Sequence, residues 1–405
     1  MTGKPTLAVF GAQPRFATHL SVGQRFRPDW DRYERAVRDI FKRRFYTSQR
    51  FAGPLVVELQ RRLKEFLGVK HVIVLRNATN GLMIATHTLG LRGRVIVPAW
   101  THIATIQALA WSKCEPVYCD IDPISQQMSA DSVKRLLDAG GITGILGVHL
   151  WGGAAPIEVL QGLAQEFGVP LYYDAAHAFG VETHAGAIGR YGRAEVFSFH
   201  ASNVLGTGEG GCIATNDDVL AAKFVAMRGD EVAPANVSMQ SATARMSEIQ
   251  AAIALMMLDD FDRNRRANEQ QYLQYEQGLS GFAGIRLLKP SGVVQSNFQN
   301  LVCVVDETRF GLSRDDLLAV LRADNVLARR DFHASIEAND LLLAGAAMTP
   351  GQLRSTKAAA RNTFQLPIGG GVSLNDVERV CELVGQAHAH APAIRSAAIS
   401  PVMAN

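Results

Sequence analysis

Cysteine is scarce in this chain: Cys114, Cys119, Cys212, Cys303 and Cys381 are an odd, scattered set among 405 residues, with no CxxC pair and no histidine at metal-ligand spacing. That excludes a disulfide-stapled scaffold or a zinc ribbon, and it predicts a reduced, cytoplasmic protein. An excess of one charge is also missing, since 41 Lys and Arg face 38 Asp and Glu for a net +3. No nucleic acid partner is expected on that basis, although the stretch from Arg25 to Arg62 is locally rich in arginine. Long apolar runs are absent too. The purest, Ala251 to Leu258 (AAIALMML), falls far short of the roughly 20 residues that span a bilayer. The start, MTGKPTLAVFGAQPRF, has no sustained apolar segment behind a basic one, so neither a secretory signal nor a membrane anchor is expected. Gly and Pro are neither periodic nor extreme at 36 and 15 residues, which sets aside collagen-like and coiled-coil chains.

What is present is a globular composition, 47% hydrophobic and 20% charged, with enough apolar surface to offset chain entropy. The length favours two cores. From about residue 55, amphipathic helix patterns alternate with short apolar strands. Leu55 to Leu67 reads as a helix stopped by Gly68, and His71 to Leu75 as a strand. Asn77 to Gly81 turns into a helix running to about Leu89. Further strands are read at Arg94 to Val97, Glu115 to Cys119, Ile142 to Val148, Pro170 to Tyr173 and Glu195 to Phe199. Such alternation predicts an α/β fold with a mostly parallel sheet covered by helices on both faces. After a helix at Ser247 to Asp260 the pattern changes to a strand (Asn300 to Val305), a helix (Arg314 to Ala323) and a closing helix (Asp376 to Ala387). These read as a smaller α+β domain, with an Ala-rich tail after His390.

Ligands of open α/β sheets sit beyond the carboxyl ends of the strands, so the turns there carry the candidates. Asn77-Ala78-Thr79-Asn80-Gly81 opens a helix whose N–H groups suit a phosphate, or merely caps it through Asn77 or Thr79. Pro98 to His102 offers flat rings for a planar ligand, or an aromatic packed between helix and sheet. Asp174 ends an apolar strand and reads as a buried carboxylate needing a cationic partner such as a protonated heterocycle, or as a helix N-cap. His177 lies in the same turn. Ser198, His200, Ser202 and Asn203 precede the glycine-rich Gly206 to Gly211, which is either a ligand-hugging backbone or a hairpin between strands.

Taken together and in order, these segments resemble the DegT/StrS sugar aminotransferases, which have the fold type I architecture of pyridoxal-phosphate (PLP) enzymes. The similarity runs from about Tyr46 to Gly370 through GVKHVIVLRNATNGL, VIVPAWTHIAT, VHLWGG, DAAHAFG, FSFHASN with GEGG, ARMSEIQAAIAL and LPIGGG. The resemblance implies Ala78, Thr79 and Ser198 at the cofactor phosphate, His102 where an aromatic covers the ring, Asp174 at the pyridine nitrogen, and His177 and His200 close to the ring. It also implies three regions: an N-terminal segment (1–50) packing on the small domain or a dimer interface, a large PLP-binding domain (51–285) and a small C-terminal domain (286–405).

Two positions depart from the family pattern. Asn203 stands where relatives carry the Schiff-base lysine, and an asparagine amide neither forms an imine nor acts as a base near neutral pH. Thr243 stands where many relatives have an Asn reaching the neighbouring subunit's cofactor phosphate. The resemblance therefore implies a homodimer that binds PLP, or its aminated form pyridoxamine phosphate (PMP), noncovalently. Its expected substrate is a nucleotide-linked keto or amino sugar, with Arg25, Arg27 and Arg245 as candidate contacts to the diphosphate. Ordinary transamination would be impaired or replaced by other chemistry, with His200 as the candidate base. Some relatives replace the lysine with histidine and act as PMP-dependent sugar dehydratases. Two alternatives stay open: an ordinary aminotransferase carrying an introduced Lys-to-Asn change at position 203, and a catalytically silent binding or partner subunit.

Overall fold

A computed structural model describes residues 7–23, 26–47, 52–229, 242–330 and 353–397. The apolar runs form a seven-stranded sheet of β1 (His71–Leu75), β2 (Gly93–Pro98), β3 (Cys114–Cys119), β4 (Ile142–Val148), β5 (Leu171–Asp174), β6 (Glu195–Ser198) and β7 (Gly211–Thr215). Their order is β1-β7-β6-β5-β4-β2-β3. β7 runs antiparallel to both its neighbours, β1 and β6, while the remaining pairs are parallel, as expected. Parallel strands buried on both faces need no polar alternation, which is why β4 reads ITGILGV without a charged residue.

Side-chain alternation divides the sheet between two apolar layers. Val72 and Val74 of β1 face one layer with the helices Pro54–Leu67, Ile157–Glu166 and Glu248–Asp259. Ile73 and Leu75 face the other, with Ala78–Thr88, Ile103–Trp111 and Asp218–Arg228. The glycine-rich segment proves to be a hairpin that delivers β7, with Phe199 N–H donating to the Gly210 carbonyl and Ala201 N–H to that of Gly208, both at 2.9 Å.

A second apolar core surrounds a three-stranded antiparallel sheet of β8 (Ile285–Leu287), β9 (Leu301–Val305) and β10 (Thr363–Leu366). The helices Phe261–Leu279, Arg314–Ala323 and Leu374–Ala389 cover it. Leu7, Phe16 and Leu20 from the chain start complete this core. Leu20–Ser21 pairs in parallel with Val326–Leu327, and Ala8 N–H donates to the Asp324 carboxylate at 3.3 Å. The helices Trp30–Arg43 and Phe261–Leu279 were not foreseen, because their apolar stripes are thin; the first buries only Ile40.

Two buried carboxylates bear on how the site is held. Glu248 has no exposed surface and accepts the N–H groups of Leu55 and Val56, both at 3.1 Å. It therefore caps the helix Pro54–Leu67, whose own N-cap, Gly53, has no side chain to do so. Glu195, equally buried, accepts from Tyr191 N–H at 3.0 Å and lies 4.0 Å from the buried His149 ring, which stacks on Tyr173 at 4.5 Å. Burial pushes the Glu195 carboxyl up to about 8 and His149 down to about 3. An acid whose folded pKa is raised stabilises the fold below its unfolded pKa and loses that contribution as pH climbs through the folded one. Wild-type stability should therefore fall between about pH 5 and 8 relative to Glu195→Gln, by at most about 1.4 kcal/mol per pH unit. Parallel melting curves for the two proteins across that range would show that Glu195 ionises normally.

Candidate active site

The carboxyl ends of β1, β2, β5 and β6 meet along one edge of the sheet, and the candidate residues stand there. The side chain of Asn77 accepts Asn80 N–H at 2.9 Å and caps the helix Ala78–Thr88. With Asn77 serving as the cap, the Ala78 and Thr79 N–H groups occupy the first two helical positions, where no intrahelical acceptor exists. Gly211 lies in register between Leu75 and Ser198. A β-carbon there would come 2.6 Å from the Phe197 carbonyl oxygen and 2.8 Å from Ala78 N. Glycine is thus what lets the end of β6 and the start of the helix close around one small space.

Asp174 ends β5 and is 4% exposed. No helix follows it: Oδ1 accepts Ala176 N–H at 3.0 Å in a local turn, and Oδ2 accepts from the Thr105 hydroxyl at 2.7 Å. Thr105 is held in turn by Thr101 at 2.9 Å. Burial raises the Asp174 pKa, and the two hydrogen bonds and His102 only partly oppose it. A nearby cation would restore the ionised form. Thr105 was not singled out by sequence reasoning; its only signal was its position one turn after Thr101.

Trp100 is packed rather than presented, with 1% exposure and its indole N–H on Gln126 at 3.1 Å. His102 is exposed and caps the helix Ile103–Trp111 through Nδ1, which accepts Ala104 N–H at 3.2 Å. His177 stacks on Trp151 at 5.4 Å with 23° between the planes. Burial, then the charges of His102 and Arg329, lower its pKa to about 3, so the ring is neutral at pH 7. Arg329 comes from the second core and was also missed; nothing local in the sequence marks it.

Beyond β6, the His200 N–H donates to the Ser198 hydroxyl at 3.2 Å, and His200 Nδ1 pairs with the Ser202 hydroxyl at 2.9 Å. Asn203 stands between two strand ends, its amide donating to the carbonyl of Ser198 at 2.7 Å and of Ala176 at 3.5 Å. Thr243 is exposed with φ +43°, a conformation costly for a β-branched residue. The next carbonyl, of Ala244, accepts Arg76 N–H at 2.8 Å beside the phosphate-suited turn. Arg245 donates to the Gly229 carbonyl. Arg27 is exposed and shares a cleft with Phe26, Arg263 and the Gly370–Gly371 turn, whereas Arg25 lies outside the described residues.

Residues 32–385 match the model of the DegT/DnrJ/EryC1/StrS aminotransferase family. The chain belongs to this family. It is 33% identical over 285 residues to dTDP-4-amino-4,6-dideoxy-D-glucose transaminase of Shigella dysenteriae, covering 70% of this chain and 77% of that one. It is 30% identical to GDP-perosamine synthase of Caulobacter vibrioides, covering 82% and 90% respectively. Among solved structures, DesI in the presence of its TDP-sugar product superimposes with a TM-score of 0.90 at 32% identity, over 96% of this chain and 98% of that one. Among the described residues, no helix is long and apolar enough to cross a membrane.

The family's cofactor finds matching groups here. A ring with a protonated nitrogen suits the buried Asp174, and a phosphate suits the helix start at Ala78 and Thr79 beside Ser198. The orientation of Asp174 rests on Thr105. Thr105→Val should cost about 1.5–3 kcal/mol, as for a hydrogen bond to a charged group, and push the Asp174 pKa further up. Denaturant unfolding checks the first, and a cost under about 0.5 kcal/mol would show that Thr105 does not hold the carboxylate.

Proposed function

We propose that this chain binds PLP or PMP noncovalently and acts on a nucleotide-linked keto or amino sugar, with Asn203 standing where relatives carry the cofactor lysine. The carrying observation is Asp174: a carboxylate withdrawn from water at a strand end, bound by two donors and with its pKa still raised, waiting for a cation. PLP, when bound, supplies an electron sink that stabilises a carbanion at the substrate carbon. Asp174 would keep the ring nitrogen protonated, His102 would lie against the ring, and the Ala78 and Thr79 N–H groups with the Ser198 hydroxyl would hold the phosphate.

The Asn203 amide has both its proposed role and its limits set by its neighbours. Spent on the Ser198 and Ala176 carbonyls, it fixes the loop across the strand ends and offers no base. Proton movement then falls to a histidine. His200 is the candidate base, since Ser202 orients its ring through Nδ1. His177 is held neutral, which suits a hydrogen-bonding part at the cofactor, and Thr243 would approach the phosphate from its exposed turn. The relatives act on dTDP- and GDP-linked sugars by their names, which supports the substrate class. A homodimer is part of this reading: Trp30, Phe41 and Tyr46 expose 68%, 56% and 44% of their surface along one segment that a second copy would cover. Five unpaired, buried cysteines accord with a cytoplasmic setting.

Borohydride reduction with mass spectrometry tests the central claim. Wild type loaded with PLP should give no covalent adduct, while Asn203→Lys should give one and gain transaminase turnover. Asp174→Asn should lower PLP affinity by about 30-fold or more, the equivalent of about 2 kcal/mol for a buried charge pair. Wild-type protein that takes up neither PLP nor PMP would overturn the reading in favour of a silent subunit. His200→Ala should abolish turnover with affinity nearly intact; loss of binding alongside it would reject His200 as the base.

A further inference from the structure

Gln126 sits in the turn after β3 in a conformation its side chain must justify. Its φ is +58°, a left-handed value that glycine or asparagine adopts at less cost. Its backbone N–H is tied to the Asp122 carbonyl at 2.9 Å. The residue is 2% exposed, yet its side chain is polar and hydrogen-bonded through both the oxygen and the nitrogen of its amide. Oε1 accepts from the indole N–H of Trp100 at 3.1 Å and of Trp151 at 3.2 Å. Nε2 donates to the Thr363 hydroxyl at 2.7 Å. One amide therefore joins two aromatic residues in the turns beyond β2 and β4 to the first residue of β10 in the second core.

The Thr363 arm of that amide leads to Arg329 and the indole arm to His177. Trp151 stacks on it directly. On the other side, β10 carries Gln365, whose backbone exchanges hydrogen bonds with Arg329 at 2.8 and 3.2 Å, and the Arg329 charge reaches His177. The same turn grips the second core a second time. Asp120 caps the helix Arg354–Asn362, accepting Ser355 N–H at 2.9 Å, Thr356 N–H at 2.8 Å and the Thr356 hydroxyl at 2.7 Å. Asp120 and Gln126 thus tie the same turn to the segment Arg354–Leu366 at two separate points.

We infer that Gln126 is a positioning residue, clasping the second core to the aromatic wall of the candidate site and thereby fixing how Trp151 stacks on His177. Its bearing on cofactor affinity rests on the function proposed above, whereas its bearing on the wall does not. Leucine would take this acceptor from two indole N–H groups and this donor from the Thr363 hydroxyl. Glutamate keeps the acceptor for both indole N–H groups, and the Thr363 hydroxyl can turn to donate to its second oxygen; it is the conservative variant.

The test compares Gln126→Leu, Thr363→Val, the double variant and Gln126→Glu in the full chain, by tryptophan emission, His177 NMR titration and PLP affinity. Gln126→Leu should alter the emission of the buried indoles, move the His177 midpoint towards its ordinary value as Arg329 shifts while His102 stays, and weaken PLP about 10-fold. Thr363→Val should move the His177 midpoint with emission unchanged, because both indoles keep their acceptor. The double variant should match Gln126→Leu, and Gln126→Glu should bind PLP within about 3-fold of wild type. Additive single effects, or a folded Gln126→Leu with wild-type emission and His177 midpoint, would overturn the clasp. Should Gln126→Leu fail to fold, a wild-type His177 midpoint in Thr363→Val overturns it equally. Absence of PLP uptake by wild type overturns the proposed function, and the two cofactor-free readouts still decide the clasp.

Discussion

A carboxylate placed out of water has to be answered by donors on every side, and the end of β5 is organised around that demand. Asp174 receives the Thr105 hydroxyl from one helix and the Ala176 N–H from its own turn. Thr105 lies on a helix capped by His102, and the turn carries His177. Meeting the demand of one buried group thus draws the helix that follows β2 to the end of β5. Desolvation outweighs these donors and keeps the Asp174 pKa raised.

Strand β7 brings a second pair of strand ends together on the same edge. Inserted antiparallel between β1 and β6, it turns its glycine towards the two ends that flank it, and only a missing side chain lets Ala78 and Phe197 approach so closely. On the opposite side of Asp174, the Glu195, His149 and Tyr173 cluster keeps polar atoms neutral inside the sheet. The two carboxylates therefore differ in kind: Asp174 is poised beside the site, and Glu195 is locked away from it.

Much of this was legible in the chain because it depends on neighbours in sequence. His71–Leu75 and Ile142–Val148 were readable to the residue, since a parallel strand covered on both faces needs only a short apolar run between turns. Asn77 as a cap and Asp174 as a buried strand-end carboxylate were legible for the same reason. β7 hid behind its glycines, where strand and loop signals compete. The helix Phe261–Leu279 was obscured by its charges. Thr105, Gln126 and Arg329 were out of reach because their importance is created by partners 69, 237 and more than a hundred residues away. A hydrogen bond across the fold leaves no periodicity to read.

The separation between partners has a consequence for how the chain matures. The helix Pro54–Leu67 receives its cap from Glu248, 193 residues downstream, and Ala8 is bonded to Asp324, 316 residues away. A ribosome releases these elements in the opposite order to the one in which they can be completed. Leu7, Phe16 and Leu20 must wait unburied until the strands and helices of the second core have been made. The second core thus closes on segments made long before it.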